Sequence, residues 1–141
     1  MDYTLSQFNM KTHFVVTGIV RNKDEILILQ KSPDDYNYPN KWSFCSGFVK
    51  EFEPAEESVL REIKEETGLD AKIVKTGKIV EVLDKKNSKR WVIAVYLCEV
   101  YKTDVKLCHE NQSYKWVKLE KLDNYDFVPG LTKDLKTLGL N

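Results

Sequence analysis

Apolar and polar residues alternate along the chain in blocks that read as short strands and two helices. Thr12 to Val20 (THFVVTGIV) is β-branched and apolar. After a turn-like Arg21-Asn22-Lys23-Asp24 comes Glu25 to Gln30 (EILILQ), so two adjacent strands are predicted. A polar, proline-containing loop follows from Ser32 to Asn40, and Trp42 to Val49 is expected to be extended. The clear helical signature opens at Glu53-Pro54. Pro54 suits the first helical position, where its missing N–H costs nothing, and Gly68 sits where a left-handed cap would end the helix. Between them Val59, Leu60 and Ile63 make an apolar stripe, with Glu56, Glu57, Glu62, Glu65 and Glu66 on other faces.

Two further extended segments are predicted, around Ala71 to Leu83 and Arg90 to Val100. The second, RWVIAVYLCEV, is apolar enough for a central strand covered on both faces. Tyr114 to Lys118 reads as a short strand, Leu119 to Leu122 as a helical turn, and Leu131 to Leu138 as a short amphipathic helix. Strands mixed with two helices indicate a layered α/β or α+β domain. With no internal repeat, and with Pro and Gly scattered rather than gathered into a linker, residues 1–141 are expected to form a single domain.

Composition narrows the function classes. Lys and Arg number 22 against 22 Asp and Glu, which argues against a generic polyanion binder. No apolar run approaches the roughly 20 residues of a membrane span. The opening MDYTLSQFNMKTHF lacks a basic region followed by an apolar one, so a cytoplasmic location without membrane partners is expected. Tyr3, Leu5, Phe8 and Met10 could pack on the same chain or on a partner, leaving monomer and homodimer both open. Cys45, Cys98 and Cys108 are odd in number and lack metal-ligand spacing; they read as reduced thiols, two of them core filler.

The candidate chemistry lies in Arg61-Glu62-Ile63-Lys64-Glu65-Glu66-Thr67-Gly68. On a helix Glu62, Glu65 and Glu66 are i, i+3 and i+4 neighbours, so their carboxylates converge on one arc and repel unless a cation sits at the focus. Hard divalent ions bind such oxygens while keeping waters and substrate phosphates, which suits metal-assisted phosphoryl chemistry. Three glutamates alone read first as a solvated acidic face. The neighbours tip the balance: Ile63 would bury the helix against the sheet, and Arg61 is placed to pair with another carboxylate.

The longer segment GFVKEFEPAEESVLREIKEETGL, residues 47–69, resembles a complete Nudix box: Gly47, five residues, Glu53, seven residues, Arg61-Glu62-Ile63, one residue, Glu65-Glu66, one residue, Gly68-Leu69. All nine specified positions match. The resemblance implies a Nudix-type α/β/α sandwich with a mixed β-sheet, and hydrolysis of a nucleoside diphosphate linked to another group with Mg²⁺ or Mn²⁺. Carried onto this chain, it makes Glu62, Glu65 and Glu66 the metal ligands, Glu53 and Arg61 the supporting ion pair, and Gly47 and Gly68 the shapers of turns. It also points to the backbone carbonyl of Ser46. There the chain departs from the family's Pro-Gly-Gly approach, having Cys45-Ser46-Gly47 instead.

A general base is also needed. Glu110 in HENQSYKW resembles the loop glutamate of MutT-like members and is assigned as an additional metal ligand or base. His109 beside it reads as a surface residue. For the substrate, Phe127 with Asp126 in DNYDFVPG is the preferred candidate, because MutT-like enzymes recognise the base from this late region; Lys31 is assigned to substrate as well. Trp42, Tyr36, Tyr38, Trp91 and Tyr125 are further aromatics able to stack a base.

Markers of several subfamilies are missing, among them the downstream proline typical of ADP-ribose hydrolases. The default expectation is a small MutT-like nucleoside triphosphate pyrophosphohydrolase acting on a small nucleotide and releasing a nucleoside monophosphate and pyrophosphate. Two alternatives compete. A silent nucleotide-binding sensor should have lost part of the glutamate set, which is complete here. An RNA 5′-end pyrophosphohydrolase would use the basic run Lys85 to Arg90 with Trp91, although such a run reads first as a solvated hairpin tip. The neutral total also hides segregation. Residues 47–69 carry seven acids and three bases, whereas 71–91 carry seven bases and two acids, a basic segment placed to face phosphates if the fold brings the two together.

Overall fold

The computed structural model describes residues 10–140. The expectations for Tyr3, Leu5 and Phe8 lie outside the described residues. Eight strands, β1 (Lys11–Asn22), β2 (Glu25–Lys31), β3 (Trp42–Ser43), β4 (Cys45–Phe48), β5 (Lys72–Thr76), β6 (Val80–Asp84), β7 (Lys89–Glu99) and β8 (Asn111–Lys118), form one mixed sheet. Helix α1 (Ala55–Thr67) follows β4, and a 3₁₀ turn (Leu119–Asn124) and helix α2 (Leu131–Thr137) close the chain. The parallel pair β1–β7 forms the spine. β4 adds antiparallel to the middle of β1, β5 and β6 to β7, and the β2–β8 ladder branches from β1 at the Arg21–Ile26 hairpin.

Strand alternation sorts the apolar side chains into two cores. Val16 and Val20 of β1, Leu27 and Leu29 of β2, and Ala94, Tyr96 and Cys98 of β7 face α1, where they meet Val59 and Ile63. Ile19, Ile26, Ile28, Val95 and Leu97 face the opposite way, under α2 and the 3₁₀ turn, against Leu122, Leu131 and Leu138. The result is a helix–sheet–helix sandwich around a mixed sheet, as expected, and β7 is covered on both faces from Ala94 to Cys98. Val59 and Ile63 are fully buried. At about 1.5–3 kcal/mol each, they hold α1 against the sheet.

Three of the boundaries that differ from the sequence reading have a local cause or consequence. Pro54 keeps an extended backbone and caps α1 rather than entering it, so the helix starts at Ala55. The segment from Ala71 to Leu83 breaks into β5 and β6 at Gly77, where Thr137 of α2 packs against the space a Cβ would fill. β8 begins at Asn111, three residues earlier than predicted, which puts Glu110 at the mouth of the strand. Gly68 ends α1 in the left-handed conformation (φ 76°), its N–H bonded to the Lys64 carbonyl. Cys45 and Cys98 are buried thiols; burial pushes Cys98 up to about 12 and Cys45 well above its ordinary value. Among the described residues, no helix is long and apolar enough to cross a membrane.

Candidate active site

Arg61 organises the charged flank of α1. Its Nε and Nη2 donate to the two carboxylate oxygens of Glu53 (2.7 and 2.9 Å), a bidentate pair that fastens the helix to the preceding loop. Nη2 also reaches the Phe48 carbonyl (3.3 Å), while Nη1 donates to Glu62 (2.9 Å) and Glu65 (3.1 Å). The guanidinium pulls the Glu53 carboxyl down to about 2, and Arg61 itself is held above its usual value by Glu53.

Glu66 lies on the buried side of the same helix. Its Oε2 accepts the Ser46 N–H (3.2 Å), and its side chain touches the Cys45 thiol. Burial, with Glu62 and Glu110 close enough to repel it, raises Glu66 to about 8; burial first also raises Glu62. Glu110 therefore lies close to the two box glutamates, reaching them from the turn before β8.

β4 explains two backbone details. The Val49 N–H bonds to the Phe14 carbonyl, so alternation along the β1–β4 ladder puts Ser46 at a non-hydrogen-bonded position. Its N–H and C=O both point away from β1, and the N–H meets Glu66. The Ser46 carbonyl is thereby directed to the same edge. Gly47 shapes no turn, contrary to expectation: it lies in regular strand, and a Cβ there would coincide with the Glu62 carboxylate. Glycine is required because the carboxylate packs directly on the strand.

A cleft of about 630 Å³ starts at Glu62, Glu110 and Ser46 and crosses β4 to the sheet face under α2. Lys31 and Lys50 lie along it, and Phe48, Trp91, Ile93 and Leu131 supply apolar wall. Glu65 is placed differently: it pairs with Arg61 on the helix flank, its side chain 55% exposed, and does not line the cleft. Among the described residues, no three acidic, His or Cys side chains form a ready-made cation cage. The donor set nonetheless fits a hard divalent ion. A buried carboxylate, two carboxylates repelling it and an outward carbonyl are oxygen donors, and Mg²⁺ takes only a few of these besides waters and phosphates.

Phe127 and Asp126 are not in the cleft. Trp42 N–H bonds to the Asp126 carbonyl and Val128 N–H to the Trp42 carbonyl, stitching this segment to β3. Alternation then sends Phe127 into the core against Phe44 (6.0 Å) and turns Val128 to the cleft. Asp126 forms an exposed ion pair with Lys41 (2.8 Å). Of the other aromatics, Trp91 and Tyr38 line the cleft, whereas Trp42 and Tyr125 pack together beside Lys115. The basic segment 71–91 gives the cleft no lysine, so the cations facing it are Lys31 and Lys50.

The sequence reading missed Lys50, Thr17, Ser43 and Asp134, all on the cleft lining. Asp134 had a signal: it stands on the apolar stripe Leu131, Leu135, Leu138 of α2, where a carboxylate is out of place.

Comparison with known proteins decides the lineage. The family model of the NUDIX domain matches residues 11–135. The chain belongs to the Nudix family. A curated relative, the nucleoside triphosphatase NudI of Escherichia coli O81 (strain ED1a), is 29% identical over 140 residues, covering 93% of this chain and 99% of that protein. Among solved structures, the MutT protein of Methanosarcina mazei Go1 superposes with a TM-score of 0.76 at 28% identity, covering 89% of this chain and 91% of that one. The MutT NUDIX hydrolase of Burkholderia pseudomallei shares the fold, with a TM-score of 0.78 at 21% identity and coverage of 91% and 98%. This Nudix protein is a hydrolase of phosphorus-containing anhydrides.

Proposed function

We propose that this hydrolase is a divalent-metal-dependent nucleoside triphosphate pyrophosphohydrolase, releasing a nucleoside monophosphate and pyrophosphate. The observation that carries the reading is the single cleft joining the carboxylates Glu62 and Glu110, through Lys31 and Lys50, to an aromatic and aliphatic pocket. Such a cleft matches a molecule that is polyanionic at one end and flat and apolar at the other. The relatives named for nucleoside triphosphates support the same class.

Glu62, Glu66 and the Ser46 carbonyl would hold Mg²⁺ or Mn²⁺, with Glu110 completing the set or serving as base; Glu65 is retained as an outer ligand that would have to leave Arg61. When bound, the cation supplies a lowered water pKa and neutralises phosphoryl charge. The chain's residues do the rest. Lys31 and Lys50 hold phosphate oxygens, Arg61 and Glu53 fix the helix that carries the glutamates, and Glu110, in the turn before β8, is placed to accept the proton of the attacking water. The apolar walls keep bulk water from the other end.

The test is a product analysis across nucleoside triphosphates, dinucleotides, ADP-ribose and capped RNA, with Mg²⁺ and Mn²⁺ compared. Pyrophosphate release from triphosphates, ahead of every other compound, is the expected result. Orthophosphate as the first product, or faster cleavage of a dinucleotide or RNA, would overturn it.

A further inference from the structure

The apolar end of the cleft contains three buried polar side chains that the chemistry at Glu62 and Glu66 does not use. Asp134 is 6% exposed, Ser43 6% and Thr17 7%, and all three line the cleft. Among the described residues, none of their side-chain oxygens has a hydrogen-bond or ion-pair partner: Thr137 donates to the Asp134 backbone carbonyl, not to its carboxylate. None of these oxygens is sealed from solvent either, and the cleft is the cavity that all three residues line. A nearly buried carboxylate without a partner is costly unless something else satisfies it. A lysine would do so permanently; here Lys31 and Lys50 share the cleft but pair with none of the three.

We propose that Asp134 is the specificity-determining residue of the cleft and accepts two hydrogen bonds from a guanine-type edge, a ring N–H beside an exocyclic amine. The inference rests on the nucleotide reading above and names the base within it. An ionised carboxylate only accepts hydrogen bonds. Guanine offers it two adjacent donors, N1–H and N2–H. Adenine and cytosine set a ring acceptor beside their amine, and uracil and thymine flank one N–H with carbonyls, so each would oppose a lone pair to a carboxylate oxygen. The Thr17 and Ser43 hydroxyls remain as donors for the guanine carbonyl. A site built to hydrogen-bond a substrate group discriminates strongly against an analogue that lacks it.

The experiment compares kcat/KM for GTP, ATP, CTP, UTP and inosine triphosphate on the wild-type protein and on Asp134→Asn, with GMP binding followed by Trp91 fluorescence. GTP should lead the natural bases by about tenfold or more, and inosine triphosphate, which keeps N1–H but lacks the amine, should fall about tenfold below GTP. Asp134→Asn should erase the lead of GTP while turnover of ATP and CTP persists. Equal use of GTP and inosine triphosphate by the wild type would overturn the proposal without any variant, as would an unchanged guanine preference in Asp134→Asn. If no triphosphate is hydrolysed, the functional reading fails on its own. GMP binding that exceeds IMP binding about tenfold would still uphold the role of Asp134, and equal binding would refute it.

Discussion

The two ends of the cleft are built in opposite ways. The acidic end comes from one contiguous stretch, β4 through to the last turn of α1, with Glu110 the one contribution from elsewhere. Arg61 ties it together through Glu53, Glu62 and Glu65. The apolar end is assembled from β1, β3, β7 and the segment after the 3₁₀ turn, pieces more than 100 residues apart. Chemistry that needs fixed spacing on one helix can be written locally; a pocket shaped to a substrate is written by tertiary packing. Variants at the acidic end should therefore cost turnover with little regard to the base, and variants at the other end should change selectivity or stability first.

Among residues not proposed to hold substrate or metal, Gly47→Ala should have the largest effect. Its Cβ displaces the Glu62 carboxylate, and a misplacement of about 1 Å costs on the order of 100-fold in kcat/KM for every triphosphate alike. A loss confined to one base would break the comparison. Glu53→Gln removes the charge that anchors Arg61, and about a tenfold fall in kcat is expected, as for other supporting contacts of a metal site. Phe127→Leu should lower denaturant stability by about 1 kcal/mol and leave kcat/KM for each base near wild type, because the ring packs on Phe44 outside the cleft.

Two smaller effects concern stability alone. Phe52 is fully exposed with φ at 62°, so Phe52→Gly should raise stability by about 1 kcal/mol in a thermal melt. Burial raises Asp134 from its ordinary 3.8 to about 6. Between those values the folded state holds a proton that the unfolded chain has released, so this contribution to stability is present below about pH 4 and is lost as pH rises through about 6. Asp134→Asn should flatten that part of the stability–pH curve.

The same contrast explains what was legible in the sequence. Strands β1, β2 and β7 and helix α1 followed from β-branched runs, a helical stripe and the Pro54 and Gly68 signals, since each pattern is written in consecutive residues of the element itself. The position of Gly68 was legible for the same reason, whereas Glu53 as the partner of Arg61 came from the resemblance to the Nudix box. The role of Gly47 was not, because only the packing of α1 on β4 shows that a carboxylate occupies the space beside it. Phe127 and Val128 differ by one residue yet face opposite sides, a distinction set by the pairing with Trp42 rather than by either side chain. Asp134 was visible as a polar residue on an apolar stripe, but what lies opposite it comes from β1 and β3.

The most direct test is Mg²⁺-dependent pyrophosphate release by Glu66→Gln, beside the wild type, with far-UV circular dichroism and a thermal melt confirming the fold. Glu66 is the buried carboxylate held by Ser46 on which the proposed metal site depends. Turnover reduced by about 1,000-fold or more, at every Mg²⁺ concentration and with the melt intact, is the predicted result. Near-normal turnover in the folded variant would contradict it and move the catalytic centre away from α1.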